Sequence, residues 1–179
     1  LNVDFTRDLS DLFRGYGSDK ATKHDYHLVY ADFLSELGID KHLNLLEIGL
    51  GSNSPNLVSS MGASGRPGAS LRTFRDALPN SNIYGADIDE RILFIEERIK
   101  TAWLDQFEQS SFIKMTEVLG ETKFDLIIDD GLHAITANLN SLMFALGSLR
   151  EKGVFIVEDI PQRSIDAWLP VMSILNDNY

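Results

Sequence analysis

Asn44-Leu-Leu-Glu-Ile-Gly-Leu-Gly51 is the stretch around which the chain is organised. An apolar run, Leu45, Leu46 and Ile48, ends in Glu47-x-Gly49-x-Gly51. A strand buried on both faces reads this way, and glycines directly after it mark a turn where backbone approaches a ligand closely. Glycine tolerates positive φ there and puts no Cβ in the way. Alone, the pattern also fits an ordinary strand-to-helix turn. The acidic strand ends that follow carry the reading further.

Before this strand, residues 1–20 read as a polar, irregular N-terminal segment ending in Gly15-Tyr-Gly-Ser-Asp-Lys20. Tyr26, Val29, Tyr30, Phe33, Leu34 and Leu37 then recur at helical spacing up to Gly38, a stripe expected to pack on the sheet. After the strand, 52–70 is rich in Gly, Pro and Ser and too long for an ordinary turn, which predicts a functional or disordered loop. Ser70 is the expected N-cap of a helix carrying Leu71, Phe74 and Leu78, ended by Pro79.

Further strands are expected at Asn82–Asp89, Ile99–Leu104, Phe124–Asp129 and Val154–Val157, with 90–98 open between helix and loop. Helices are expected at about 108–119, ending at Gly120, and after His133. The latter presents Ile135, Leu139, Leu142, Met143, Leu146 and Leu149 on one face and closes at Lys152-Gly153. A last helix near 163–176 turns Trp168 and Leu169 inward, with Pro170 kinking it or limiting its start. Strand and helix alternate five times, which predicts one α/β domain over 21–179 with a parallel sheet and helices on both faces.

Net charge is −11, which repels phosphate backbones and argues against nucleic acid, pointing instead to a neutral or cationic small molecule. The chain has no apolar run of membrane-spanning length, so no membrane is expected as a partner. Cysteine is absent, which excludes disulfide and thiolate chemistry and fits a cytoplasmic protein. With 179 residues, a chain of this size buries roughly 70% of its unfolded surface, enough for a real core. Leu1 in place of Met suggests a trimmed end.

In an open α/β sheet, ligands bind beyond the carboxyl ends of the strands. Those ends read Glu47 with Gly49 and Gly51, then Asp87 and Asp89, Asp105-Gln106, Asp129-Asp130 with His133, and Glu158-Asp159. A carboxylate after the second strand can accept both hydroxyls of a ribose. A dinucleotide fold needs Gly-x-Gly-x-x-Gly and a helix starting at once to receive a pyrophosphate. Here the turn is Gly49-x-Gly51-x-x-Ser54 and the next helix waits until about residue 70. A cofactor without phosphates fits better, with Glu47 placed to meet a cationic amino-acid tail.

Glu47-Ile-Gly-Leu-Gly51, Tyr84-Gly-Ala-Asp87-Ile-Asp89 and the later strand ends together resemble a class I S-adenosylmethionine-dependent methyltransferase. Gly17-Ser-Asp-Lys20, His24, Tyr26, Gly68-Ala-Ser-Leu-Arg72, Ile128-Asp-Asp-Gly-Leu-His133 and Val157-Glu-Asp159 narrow the resemblance to the macrocin and mycinamicin type of sugar O-methyltransferase. It implies a Rossmann-like methyltransferase fold and methyl transfer to a hydroxyl of a sugar or glycosylated small molecule. It places Glu47, Gly49 and Gly51 at the methionine and ribose of S-adenosylmethionine, and Asp87 with Asp89 at the ribose end. Asp105 and Gln106 fall at the adenine, and Asp129 reads as structural or as facing the cofactor. It also implies Mg2+ on Asp130, Glu158 and Asp159, with His133 as general base. Asp19-Lys20 is open between a solvated turn and the site, and His24, His27 and His42 read as surface or helix residues.

Class I methyltransferases usually finish with two further strands that cover the sheet edge. This sequence ends at Tyr179, after the helix that precedes them. The expectation is therefore either a piece of a longer protein or a homo-oligomer in which another chain covers that edge. Two rival readings stay open: a nicotinamide-dependent dehydrogenase or epimerase, and a non-catalytic cofactor-binding domain.

Overall fold

A computed structural model of the chain describes residues 2–178. Its strands are β1 (Asn44–Ile48), β2 (Asn82–Asp87), β3 (Ile95–Glu96), β4 (Ile99–Trp103), β5 (Phe124–Asp129) and β6 (Leu149–Val157). Its helices are α1 (Val3–Tyr16), α2 (Tyr26–Leu37), α3 (Ala69–Ala77), α4 (Gln109–Leu119), α5 (Ile135–Ser148) and α6 (Ile165–Asn178). Among the described residues the strands form one sheet in the order β3-β4-β2-β1-β5-β6. Every pairing is parallel except β3 with β4. The order reverses between β1 and β5, so the crevice of an open α/β sheet opens beyond Ile48 and Asp129.

Flanked by β2 and β5, β1 is buried at all its positions, which is why its sequence does not alternate. One face of the sheet packs Leu45, Ile83 and Leu126 against Phe13, Tyr30 and Phe74 of α1, α2 and α3. The other packs Leu46, Ile48 and Ile127 against Phe112, Met115 and Ala145 of α4 and α5. No helix among the described residues is long and apolar enough to cross a membrane.

The N-terminal segment is not irregular. Asn2 caps α1 by accepting the Phe5 N–H at 3.2 Å, and Gly17 ends it in the left-handed region at φ 78°. Phe5, Leu9 and Phe13, spaced four apart, are its buried face, and the Phe13 ring meets Phe74 edge-on at 5.4 Å. Burying such side chains contributes about 1.5–3 kcal/mol each, so α1 is held in the main core. Three apolar positions among charged ones give too narrow a stripe to stand out in the sequence.

Several other expectations give way. Residues 90–98 form a short 3-10 turn at Glu90–Ile92 followed by β3, too short to leave a pattern. Ser70 does not cap α3, which begins at Ala69 after Gly68 in the left-handed region. On α5 the buried face is Ala137, Asn138, Ser141, Leu142, Ala145 and Ser148, while Met143 is 62% exposed. Small and polar side chains face inward because Asn138 and Ser141 serve a buried carboxylate network at the end of β5. α5 also stops at Ser148, so Lys152-Gly153 lies within β6, where the β5 pairing shifts register. Trp168 is buried but Leu169 points outward.

Candidate active site

At the end of β1 the chain turns through Gly49 (φ 92°) and Gly51 (φ 81°). A Cβ on Gly49 would overlap the Asp130 carbonyl, and one on Gly51 would overlap the Met61 sulfur. Gly49 is therefore required by the chain's own close approach, since the β1 and β5 ends meet backbone to backbone there, whereas Gly51 meets only the Met61 side chain. Residues 49–68 contain no regular element, yet they are tied down by Met61 N–H to Ser52 O at 2.8 Å and Gly68 N–H to Leu50 O at 2.9 Å.

Two adjoining cavities open at this crevice, sharing Gly49, Leu57, Ser59 and Asp87. The second, about 250 Å3, is walled largely by apolar side chains including Ile48, Ile88, Leu104, Phe107 and Leu132, with Asp105 at its lining. The first, about 240 Å3, is polar and acidic, lined by Glu47, Asp130, His133, Glu158 and Asp159 among others.

Lys20 sits among these acids and is only 4% exposed. A 3-10 turn at Asp19–Ala21 carries it inward, capped by Ser18. Its ammonium donates to Asp130 Oδ2 at 2.6 Å and to both Glu158 oxygens at 2.8 and 2.7 Å, and lies 3.4 Å from Glu47 Oε1. Burial alone would lower its pKa, but Glu47, Asp130 and Glu158 together hold the ammonium well above the usual lysine range. Burial pushes the Glu47 and Glu158 carboxyls up, and the Lys20 charge opposes that rise. Sequence reasoning left Lys20 open; the only signal for it was the Gly-Ser-Asp-Lys turn ahead of α2.

Glu47 is fully buried and accepts the Ser70 hydroxyl on Oε2. Asp130 keeps Oδ1 facing His133 Nε2 at 3.9 Å. His133 adopts φ 55° and lines the first cavity, and its Nδ1 is buried without a hydrogen-bond partner. Asp159, at φ 48°, accepts from Tyr26 Oη at 2.6 Å. The Tyr26 hydroxyl is pushed up to about 12, by burial first and then by that hydrogen bond. His24 stacks on Tyr26 at 5.1 Å between ring centroids and lines the same cavity.

The remaining acids divide. Asp87 lines both cavities while accepting the N–H groups of Leu50 at 2.7 Å and Asp89 at 2.8 Å, and burial raises its carboxyl. Asp89 borders neither cavity. It accepts a forked Arg91 at 2.6 and 2.9 Å together with the Ser52 hydroxyl, and the Arg91 guanidinium holds it well below the usual carboxylate range. Asp129 is also outside both linings: Oδ1 accepts from Gln106 Nε2 at 2.8 Å and Oδ2 from Asn138 Nδ2 at 3.0 Å. Gln106 lies along the second cavity, but its amide is engaged by Asp129, Ser141 and the Leu132 N–H. Asp89 and Asp129 thus brace the loops in this structure.

Among the described residues, Asp130, His133 and Asp159 each offer one ligand atom within 4.8 Å of the others. The two carboxylates fit a divalent cation, and the imidazole stands beside them in the same cavity. The Glu158 oxygens, each taken once by Lys20, retain lone pairs beside them.

This sheet order, with its glycine turn, acidic second strand end and Asp-Asp-Gly-Leu-His loop, is the class I S-adenosylmethionine-dependent methyltransferase fold. No family model matches the chain. It is 34% identical over 94 residues to mycinamicin VI 2''-O-methyltransferase of Micromonospora griseorubida, covering 52% of this chain and 23% of that protein. It is 26% identical over 155 residues to 8-demethyl-8-(2-methoxy-alpha-L-rhamnosyl)-tetracenomycin-C 3'-O-methyltransferase of Streptomyces olivaceus, covering 86% and 37%. A solved structure of MycE, a methyltransferase of mycinamycin biosynthesis in complex with Mg, S-adenosylhomocysteine (SAH) and mycinamycin VI, superposes with a TM-score of 0.71 at 26% identity, over 92% of this chain and 39% of that one. The chain thus spans 23% to 37% of the length of these curated relatives.

Proposed function

We propose that this chain carries the cofactor and catalytic half-site of an O-methyltransferase acting on a hydroxyl of a sugar or glycosylated small molecule. The observation that carries the reading is one cavity that joins the Gly49–Gly51 turn and Asp87 to Asp130, His133 and Asp159. The similarity to the mycinamicin enzyme, and to a MycE structure holding Mg and SAH, supports it.

The apolar cavity fits an adenine, with Asp105 at its lining and Asp87 between the two cavities, where a ribose would lie. Asp87 has the lone pairs to accept ribose hydroxyls in addition to its two backbone donors. Glu47, Gly49 and Gly51 would line the methionyl side. S-adenosylmethionine supplies the methyl group on a cationic sulfonium, and an acidic wall suits that charge.

A divalent ion would be held by Asp130, Glu158 and Asp159, since magnesium prefers oxygen donors to imidazole. When bound, such an ion would supply Lewis-acid polarisation that lowers the pKa of an acceptor hydroxyl. His133, which lines the same cavity, would take the proton from that hydroxyl, an effect worth roughly 10²–10⁴ in rate. Lys20 keeps Asp130 and Glu158 aimed at one point and lowers the repulsion among the carboxylates. The net charge of −11 disfavours nucleic acid as the acceptor.

Calorimetric titration with SAH and with NAD tests the cofactor assignment. Binding of SAH alone is expected; binding of NAD alone would overturn it. For the base, His133→Ala should slow methyl transfer to a glycoside about 100-fold or more with SAH affinity kept within about twofold. Equal losses in both would remove His133 from that role.

A further inference from the structure

The acidic cavity holds a cation that the reading above does not use. Lys20 is consumed by three carboxylates, whereas Arg66 lines the same cavity and, among the described residues, its guanidinium makes no hydrogen bond or ion pair. The arginines from α3 to β4 are committed: Arg72 and Arg75 to Glu96, Arg91 to Asp89, and Arg98 to backbone carbonyls. Among the described residues, Arg66 is the one lysine or arginine lining this cavity whose charge no carboxylate has taken, so an anion would be stabilised beside it.

Its position is built by the chain around it. The Arg66 side chain crosses Gly17, so that a Cβ on Gly17 would come within 2.8 Å of Arg66 Cδ and 3.0 Å of Nε. Its backbone is fixed by the Ala69 N–H on the Arg66 carbonyl at 3.1 Å and by the Gly68 anchor to Leu50. Glu47 Oε1, buried in the same cavity, has no hydrogen-bond partner. A buried carboxylate whose Oε1 meets only the Lys20 ammonium, at 3.4 Å, and an uncommitted guanidinium lining one cavity form a pair suited to an α-amino-acid zwitterion.

Taking the proposed cofactor as given, we infer that Arg66 is the anchor for the methionyl carboxylate of S-adenosylmethionine, with Glu47 on its α-ammonium. The carboxylate is the only anionic group on that cofactor. A planar guanidinium grips it through two parallel N–H donors, which a lysine cannot reproduce. Arg66 then selects for the amino-acid tail, while the apolar cavity selects for adenosine.

The test compares SAH with its decarboxylated counterpart, 5′-deoxy-5′-(3-aminopropylthio)adenosine, by calorimetry. The wild-type chain should prefer SAH by about 10- to 100-fold, as expected for a charge-assisted contact. Arg66→Ala should abolish the preference by weakening SAH while leaving the decarboxylated compound within about twofold; Arg66→Lys should restore only part of it. Equal affinity of wild type and Arg66→Ala for SAH, or equal losses for both compounds, would overturn the anchor. If the wild type binds neither compound, the cofactor assignment itself fails. Wild-type binding of both without preference refutes the anchor alone.

Discussion

Replacing Lys20 by Met removes a charge that three carboxylates share, and the structure sets the size of the effect. Glu47 is fully buried and Glu158 is 2% exposed, with Lys20 ammonium contacts of 2.7–3.4 Å to these two acids. Breaking a buried pair by deleting one partner costs about 3–5 kcal/mol, because the remaining charge is left without compensation. For a domain of this size, that corresponds to a fall in Tm of about 6–20 °C. Scanning calorimetry with chelator present, so that no divalent ion substitutes for the ammonium, measures it directly. The pH dependence supplies an independent check. Burial already raises the Glu47 and Glu158 carboxyls above their ordinary values, and loss of the lysine raises them further. An acid whose folded pKa is raised contributes stability that is fully present below its unfolded pKa of about 4.3 and is lost as pH rises through the folded pKa. The Lys20→Met deficit should therefore shrink as the pH is lowered toward the ordinary carboxylate range and the two acids protonate. A deficit under about 1 kcal/mol at neutral pH, or one that does not shrink as the pH falls, would refute the account of Lys20 as the shared counter-charge.

Gly49→Ala should destabilise the chain by about 2–5 kcal/mol in a denaturant titration, because left-handed strain adds to overlap with the Asp130 carbonyl. A wild-type midpoint would show that the two turns can separate freely. Gln106→Leu removes partners from Asp129, Ser141 and the Leu132 N–H at once, and should cost about 2–4 kcal/mol; a smaller loss would mean that water replaces the amide. Tyr26→Phe leaves Asp159 without its donor at 2.6 Å and should cost about 1–2 kcal/mol. Since the Tyr26 hydroxyl is pushed up to about 12, that loss should be constant from about pH 6 to pH 9.

What could be read in advance follows the strength of each local pattern. β1 and β5 were legible because strands buried on both faces write continuous apolar runs, and α4 because Gly120 closes it in the left-handed region. α1 was not, because Phe5, Leu9 and Phe13 stand one per turn among Asp and Arg residues. The outward turn of Met143 on α5 was illegible for a related reason. Part of the inward face serves a carboxylate network, so Asn138 and Ser141 stand there among Ala137, Leu142 and Ala145. Lys20 and Arg66 lie farthest from what periodicity reports. Neither belongs to a repeat, and each acquires meaning only when the chain brings distant acids or a distant glycine beside it.

The acids after the strands show why residue type alone could not sort them. Each reads identically in the sequence, as a carboxylate where a strand stops. What separates them is the number of donors the fold has already assigned. Asp89 carries a forked arginine and a hydroxyl, and Asp129 carries two side-chain amides and the Gly131 N–H. Such carboxylates have little capacity left and serve to fix loops. Asp87 spends one backbone donor per oxygen and still borders both cavities, so it can brace the turn and take a ligand hydroxyl. Asp130 and Asp159 each spend one oxygen on a neighbour, Lys20 in one case and Tyr26 in the other, and open on the cavity that His133 lines. The open carboxylates therefore cluster where β5 and β6 end, and the satisfied ones hold the walls that keep them there. The Asn44–Gly51 turn belongs with the walls: Gly49 lets the β5 loop close against β1, which sets Asp130 beside Lys20 and Glu47.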